Sequence, residues 1–138
     1  MKYLLDTCVF SEFVKPAFNE AVMEFISEQD ESLLFISSMT LGELHKGIQD
    51  LANSKKKTNL FIWIGAIEEQ FEGRVLPFDN ECAIEWAQLC SDTEKKGKKM
   101  AAFDSIIAAV ARKNNLCLVT RNVKDFQHSG LEFLNPWL

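Results

Sequence analysis

Short runs of consecutive apolar residues alternate along this chain with longer segments in which apolar residues recur every three or four positions. The first short run, Tyr3-Leu4-Leu5, is typical of a strand that is buried on both faces of a parallel sheet. Similar runs recur between polar or turn-forming residues. They predict β-strands at residues 2–7, 33–36, 75–78, 116–119 and, more briefly, 133–134.

The longer segments have the spacing of helices, and several begin at a capping residue such as Ser37 or Asp79. The predicted helices span residues 8–14, 19–29, 38–51, 58–71, 80–96 and 101–114. The segment 58–71 is apolar most of the way round, so we expect it to be buried between layers or between subunits. The helix at 80–96 should bury the face formed by Ala83, Trp86, Ala87 and Cys90.

Strands that alternate with helices indicate an α/β fold in which a parallel sheet is covered on both faces. The 138 residues contain no repeat or linker, so we expect a single domain over residues 1–138. No window approaches the roughly eighteen apolar residues of a membrane span, and no signal-peptide pattern is present. We therefore expect a cytoplasmic protein without membrane contact.

Cysteine spacing and net charge narrow the possible classes of protein. Cys8, Cys82, Cys90 and Cys117 include no C-x-x-C pair, so they predict buried thiols in a reducing compartment rather than a zinc site. The net charge of −5 argues against a general nucleic-acid binder. However, lysines are concentrated at 55–57 and 95–99, and these runs form either solvated helix ends or local phosphate-binding surfaces.

Asp6 follows the first strand directly, at the edge of a parallel sheet where ligands usually bind. It has two interpretations on this stretch alone. One is a functional carboxylate at the end of the strand, and the other is the cap of the following helix, a role that Thr7 could also fill.

Asp104 is the second unusual acid, because it shares a helix face with Ile107, Ala108 and Ala111. An unpaired buried carboxylate costs several kcal/mol, so Asp104 must be protonated, paired with a cation or directed into a cleft. A favourable interaction with the helix dipole is the alternative, but we favour a functional role.

Two further acids extend this pattern. Glu43 lies between Gly42 and Gly47, where a bare backbone allows close approach, although a surface glutamate is the commoner explanation. Asp125 comes shortly after the fourth strand, on the same sheet edge as Asp6. Several carboxylates without histidine or cysteine are oxygen ligands suited to Mg²⁺ or Mn²⁺.

Several short motifs follow one another in a fixed order along the whole chain. They are Leu4-Leu5-Asp6-Thr7, Gly42-Glu43-Leu44 with Lys46-Gly47-Ile48, Phe103-Asp104 before Ile106-Ile107-Ala108-Ala109, Leu118-Val119-Thr120-Arg121-Asn122, and Leu134-Asn135-Pro136-Trp137. In this order the chain resembles the PIN-domain ribonucleases, and most closely the VapC and FitB toxins of type II toxin–antitoxin systems.

The resemblance implies a three-layer α/β/α fold with a short central parallel sheet. It also implies Mg²⁺-dependent endoribonuclease activity, with Mn²⁺ as a substitute, on an RNA substrate. A homodimer is expected, neutralised by a cognate antitoxin through which alone operator DNA would be bound. The catalytic residues would be Asp6, Glu43, Asp104 and Asp125.

In this interpretation Asp6 and Asp104 hold the metal, and Glu43 binds it directly or through water. Thr7 and Thr120 are expected to orient these carboxylates. The chain departs from the family at Asn122, where a fourth acid is common. It departs again at Ala101, where proline is frequent.

Other single-aspartate enzymes fit the chain less well. A haloacid-dehalogenase-type phosphatase needs a second aspartate where Cys8 stands, and a receiver domain needs a pair of acids that ends no strand here. No dinucleotide-binding, P-loop or nucleophile-elbow motif occurs. The remaining alternative is a dimeric binding module that mainly holds an antitoxin on operator DNA and has little nuclease activity.

Overall fold

Five short parallel strands form the centre of the molecule, in a computed structural model that describes residues 1–138. The sheet order is β3-β2-β1-β4-β5, so the first strand lies in the middle. The strands are β1 (Tyr3–Leu5), β2 (Leu34–Ser37), β3 (Val75–Leu76), β4 (Cys117–Val119) and β5 (Phe133–Leu134). This architecture confirms the predicted α/β class.

Seven α-helices connect and flank the strands. Five of them begin at a residue whose side chain accepts a backbone N–H of the first turn: Asp6, Asn19, Ser37, Ser54 and Asp79. The helices are α1 (Thr7–Phe13), α2 (Glu20–Glu28), α3 (Ser38–Gln49), α4 (Lys55–Gln70), α5 (Asn80–Lys95), α6 (Ala102–Lys113) and α7 (Val123–Phe126). A 3₁₀ turn, Glu31–Leu33, precedes β2.

Each face of the sheet is covered by its own hydrophobic cluster, as the side-chain alternation of β1 requires. Leu5 packs in one cluster with residues of helices α1 to α4, including Val9 and Ile64. Leu4 packs in the other with residues of α5, α6 and α7, including Leu89 and Ile107. Both leucines are essentially inaccessible to solvent. The result is the three-layer α/β/α arrangement.

Observed element boundaries differ from the predicted ones by a few residues, for local reasons. Backbone pairing continues beyond β1, because Cys117 N–H donates to Lys2 O and Asp6 N–H donates to Val119 O, both at 3.0 Å. Helix α4 begins at Lys55 rather than at residue 58, because the Ser54 hydroxyl accepts the N–H of Lys57 at 3.1 Å. Gly97 follows α5 with a φ of 70°, which suits the predicted stop.

The predicted buried face of α5 is wrong. The residues of α5 that are buried are Cys82, Leu89 and Thr93, whereas Trp86 and Ala87 are exposed. The Trp86 indole lies at the boundary with α6 and donates to Ser105 Oγ at 2.8 Å. The buried face is therefore offset from the one that the apolar spacing indicated, and Trp86 contacts α6 from its edge.

Helix α4 is only partly buried within the chain. Ile64 and Ile67 face the core, but Phe61 is 39 % exposed and Ile62 is 68 % exposed. The predicted burial between layers therefore holds for Ile64 and Ile67, and burial between subunits stays a prediction for Phe61 and Ile62. No helix in the structure is both long and apolar enough to cross a membrane.

Candidate active site at the carboxyl edge of the sheet

Asp6 lies at the centre of the site, directly after the middle strand of the sheet. It is 7 % exposed, and both carboxylate oxygens are held. Thr7 N–H donates to Oδ1 at 2.9 Å, and the Thr120 hydroxyl donates to Oδ2 at 2.8 Å. The two interpretations of Asp6 are therefore compatible, because the same side chain caps α1 and faces the site.

Thr120 fixes Asp6 from the neighbouring strand. It follows β4 and is fully buried. Its Oγ1 accepts the N–H of Asn122 at 3.0 Å, which leaves the hydroxyl proton for Asp6. The predicted contact between Thr120 and a site carboxylate is thus present.

Thr7 contacts Asp6 through its backbone. The N–H of Thr7, rather than its hydroxyl, donates to the carboxylate. The Thr7 hydroxyl is buried and has no hydrogen-bond partner. A buried hydroxyl without a partner is unusual in a native structure, and a bound ion or water is one way to satisfy it.

Cys8 belongs to the same cluster, which the sequence analysis missed. Its Sγ lies 3.9 Å from Asp6 Oδ2 and 3.8 Å from Thr120 Oγ1, and it accepts the N–H of Arg121 at 3.4 Å. The expectation of four buried thiols is wrong for Cys8 and Cys90, which are half-buried. The helical start after Asp6, which turns residue 8 back towards the carboxylate, was the signal that could have identified Cys8.

Asp104 lies in the first turn of α6 and is half-buried. Burial, followed by the negative charges of Asp125, Asp6 and Glu43 in that order, raises the pKa of its carboxyl group to about 6. Burial is also the main cause of the raised pKa of Asp6, with smaller contributions from Glu43 and Asp125. These four carboxyl groups therefore share one electrostatic environment.

No cation within the chain neutralises this group of acids. Asp6, Glu43, Asp104 and Asp125 form no ion pair within 4.0 Å, although other acids such as Glu85 do. Glu43 and Asp125 are exposed on α3 and α7. The structure thus concentrates unpaired negative charge at one edge of the sheet, which an external cation could offset.

The donor chemistry of the site fits a hard divalent cation. Carboxylate oxygens are the ligands that Mg²⁺ and Mn²⁺ prefer, and the unpartnered Thr7 hydroxyl adds a further oxygen. As the side chains stand, no three acidic, histidine or cysteine residues lie close enough to share one ion. The exposed side chains of Glu43 and Asp125 have room to turn, whereas Asp6 does not.

Asn122 contributes to the site through its backbone alone. Its side chain is exposed and makes no capping hydrogen bond at the start of α7. Its N–H supports Thr120, and its carbonyl accepts the N–H of Asp125 at 3.0 Å. The Asn122 backbone thereby contacts both Thr120 and Asp125.

Comparison with known proteins identifies relatives that cover nearly the whole chain. The PIN domain family model matches residues 3–129. Toxin FitB of Neisseria gonorrhoeae is 37 % identical over 97 % of both chains, and VapC ribonuclease Y4jK of Sinorhizobium fredii is 33 % identical over 97 % of this chain and 96 % of the relative.

Solved structures that are similar to this chain also cover nearly all of it. The structure of FitAcB from Neisseria gonorrhoeae superposes with a TM-score of 0.94 at 37 % identity, covering 98 % of each chain. DNA-bound VapBC from Salmonella typhimurium superposes with a TM-score of 0.81 at 28 % identity, covering 100 % of this chain and 99 % of the other.

Proposed function

This chain belongs to the PIN-domain family, and on that premise we propose that it is a metal-dependent endoribonuclease, the toxin of a bacterial toxin–antitoxin pair. It hydrolyses phosphodiester bonds of RNA in the cytoplasm and is neutralised by a cognate antitoxin. The names of its relatives, a toxin and a VapC ribonuclease, support this activity.

The observation that supports the proposal best is the group of unpaired carboxylates around Asp6. Burial and mutual repulsion raise the pKa values of Asp6 and Asp104, which is a free-energy cost that no cation of the chain offsets. Ionisable groups whose pKa values are shifted at such a free-energy cost are concentrated at functional sites. A phosphodiester, itself an anion, can approach them only together with a cation.

Asp6, Asp104 and Glu43 are the residues that would hold Mg²⁺ or Mn²⁺, with Asp125 as a fourth acid nearby. When bound, the ion supplies positive charge for the phosphate and activates a water for attack. Its binding would also relieve the repulsion that contributes to the raised pKa of Asp104, which is about 6.

The chain's own residues have distinct parts in this scheme. Thr120 and the Thr7 amide hold the two oxygens of Asp6 in a fixed orientation. Asp104 loses its proton close to neutral pH, so the site gains its full negative charge only there. Asp125, which lies on α7, adds negative charge at the solvent-exposed side of the site.

Antitoxin binding fits an apolar groove next to the acids. The groove, of about 300 Å³, lies between α1, α3 and α4 and has Glu43 and Thr7 in its lining. Its apolar lining includes Leu44, Ile48 and Trp63. A short amphipathic segment of the antitoxin would fit here, with a basic side chain directed at the acids. A complex without any contact near Asp6 would contradict this assignment.

A second function has support from the DNA-bound relative. The VapBC structure from Salmonella typhimurium is that of a complex bound to DNA. The present chain would then act mainly as a dimeric module that holds an antitoxin on operator DNA. Removal of a single carboxylate separates the two functions. RNA cleavage should be lost if the chain is a ribonuclease, whereas antitoxin and DNA binding would survive the change.

Expression of the chain alone in a bacterium, followed by mapping of RNA 5′ ends, tests the proposal. We expect growth arrest and new 5′ ends at a small set of sites. Asp6→Asn should abolish both, whereas Asp50→Asn should not, because Asp50 lies at the exposed end of α3 and pairs with Lys46. New 5′ ends that are equally frequent with Asp6→Asn would contradict the proposed function.

A further inference from the structure

A pocket of about 290 Å³ opens beside the acids, between the segment before α6 and helix α7. Asp104 and Asp125 form its acidic side. Lys98, Lys99 and Lys124 form its basic side. Positive and negative side chains therefore line one small space that is continuous with the proposed catalytic site.

The three lysines are not engaged elsewhere in the structure. None of them forms an ion pair within 4.0 Å, even with the two acids of the same pocket, and all three are exposed. By contrast, Lys57 of the other lysine run donates to the carbonyls of Gln49 and Leu51 and so caps the end of α3. Only the run before α6 keeps its charges free beside the site.

Free positive charge at this position matters because the protein as a whole repels RNA. The net charge is −5, and the site itself is acidic. A polyanion approaching this edge needs local cations that contact its backbone. Phosphates follow one another along RNA, so a chain that places one phosphate beside Asp104 brings the next within reach of this pocket.

We propose that the pocket formed by Lys98, Lys99 and Lys124 binds the RNA phosphate adjacent to the one that is cleaved. The inference rests on the proposed ribonuclease function and assigns a substrate subsite to it. These lysines position the RNA, and they do not touch the reacting atoms.

The pocket suits a phosphate better than a base. No phenylalanine, tyrosine or tryptophan lines it, and the imidazole of His128 is the single ring beside its three lysines. Lysine binds phosphate as a point charge on a flexible stem, without the fixed fork that arginine uses to read a base edge. The contact should therefore contribute affinity rather than sequence preference.

A pair of matched double variants tests this assignment. Lys98→Gln/Lys99→Gln and Lys55→Gln/Lys56→Gln remove the same charge from exposed positions, but only the first alters the pocket. We expect the first to raise the KM for a short single-stranded RNA by about tenfold and to lower the salt dependence of binding by about 0.7, the slope for one phosphate contact. The second should behave like the wild type.

RNAs that each carry one neutral methylphosphonate linkage at a different position identify which phosphate the pocket binds. A neutral linkage next to the cleavage site should weaken binding to the wild type. With that RNA, Lys98→Gln/Lys99→Gln should lower the affinity hardly any further. Equal KM values for the two double variants would overturn the inference, including the case in which these lysines bind an acidic partner protein instead.

The outcome also distinguishes the inference from the proposed function. Metal-dependent cleavage that is unaffected by Lys98→Gln/Lys99→Gln refutes the subsite and leaves the ribonuclease intact. RNA binding that depends on these lysines without any cleavage refutes the ribonuclease and, with it, the assignment of the pocket to a phosphate next to a cleaved one, and leaves only an RNA contact there.

Discussion

The four carboxylates of the site differ in how firmly the protein holds them. Asp6 is buried and accepts hydrogen bonds at both oxygens, Asp104 is half-buried, and Glu43 and Asp125 are exposed. The more buried acids follow β1 and begin α6, and the exposed acids lie on α3 and α7.

Asp104→Asn should stabilise the metal-free protein at neutral pH. The folded-state pKa of about 6 lies above the ordinary value of 3.8, so the folded state disfavours the charged form and loses stability as pH rises through this range. We expect a gain on the order of 1 kcal/mol at pH 7.5, since solvent screens a half-exposed group, and almost none at pH 4. Urea unfolding in EDTA at the two pH values measures the difference in the free energy of unfolding between Asp104→Asn and the wild type.

The control for this measurement is Asp50→Asn, an identical change in an acid that has a lysine partner. It should give no gain at pH 7.5. An Asp104→Asn protein that is no more stable at pH 7.5 than the wild type would show that Asp104 is not repelled in the folded state.

The fourth acid can be identified by Mn²⁺ titration of two variants. Asn122→Asp adds a negative charge at the position where the family resemblance leads us to expect a fourth acid, so it should tighten metal binding. Asp125→Ala removes an exposed acid that acts through the loop or a bridging water, so it should cost little. Complete loss of binding in Asp125→Ala would instead make Asp125 a direct ligand.

The sequence singled out the four acids whose charges interact in the structure, but not how each is held. Asp6 and Asp104 stand out because each interrupts an apolar pattern, and a buried charge needs a reason. The choice between the amide and the hydroxyl of Thr7 depends on a side-chain rotamer, and no spacing encodes that. The position of Asp125 depends on the short helix α7, whose start at Val123 has no side-chain cap to mark it.

Among the elements, strand positions were easier to predict than helix faces. An unbroken apolar run such as that of β1 is buried on both sides, so its prediction involves no choice of face. Helix α5 has apolar residues on two adjacent faces, and contact with α6 selected the one with Cys82 and Leu89. That selection depends on the shape of the neighbouring helix, which hydrophobic spacing does not describe.

Helix α1 also contains a buried acid that ties distant elements together. The Glu12 side chain accepts the N–H of Asn19 at 2.8 Å, Lys15 Nζ at 3.0 Å and the Trp137 indole N–H at 3.1 Å. These donors, the Asn19 amide foremost, lower the pKa of the Glu12 carboxyl group. The C-terminal segment is thereby fastened to the first helix, next to the site.

Glu12→Ala should lower the Tm and release Trp137, because three donors lose their acceptor. Since the folded-state pKa of Glu12 is lowered, its contribution is present above the ordinary pKa of 4.5 and is lost as pH falls further. The difference in Tm from the wild type should therefore be larger at pH 7 than at acid pH. Tryptophan fluorescence during thermal unfolding reports it.

Glu28→Ala, at the exposed end of α2, is the control and should leave the Tm nearly unchanged. If Glu12→Ala unfolds at the wild-type temperature at pH 7, the C-terminal segment is held by packing alone.

At the scale of the whole molecule, helix α4 exposes an apolar side to solvent. Phe61 and Ile62 together present a surface that one chain does not cover. We predict a homodimer through this helix, since closed twofold pairs are the commonest way to bury such a surface. Multi-angle light scattering of the wild type at micromolar concentration should give twice the mass of the chain.

Ile62→Glu should shift this dimer towards monomer, because it places a charge in the interface. Ile84→Glu is the matched control, since Ile84 is similarly exposed on α5. A wild-type monomer, or a dimer that Ile84→Glu disrupts and Ile62→Glu does not, would contradict the assignment of α4.

The most direct test of the proposed activity is cleavage of RNA by the purified protein with Mg²⁺, Mn²⁺ or EDTA, compared among the wild type, Asp104→Asn and Asp50→Asn. We predict discrete fragments from the wild type and from Asp50→Asn only when a divalent ion is present, and a rate at least about 100-fold lower for Asp104→Asn. Full cleavage by a folded Asp104→Asn protein, or wild-type cleavage that is undiminished in EDTA, would contradict the account.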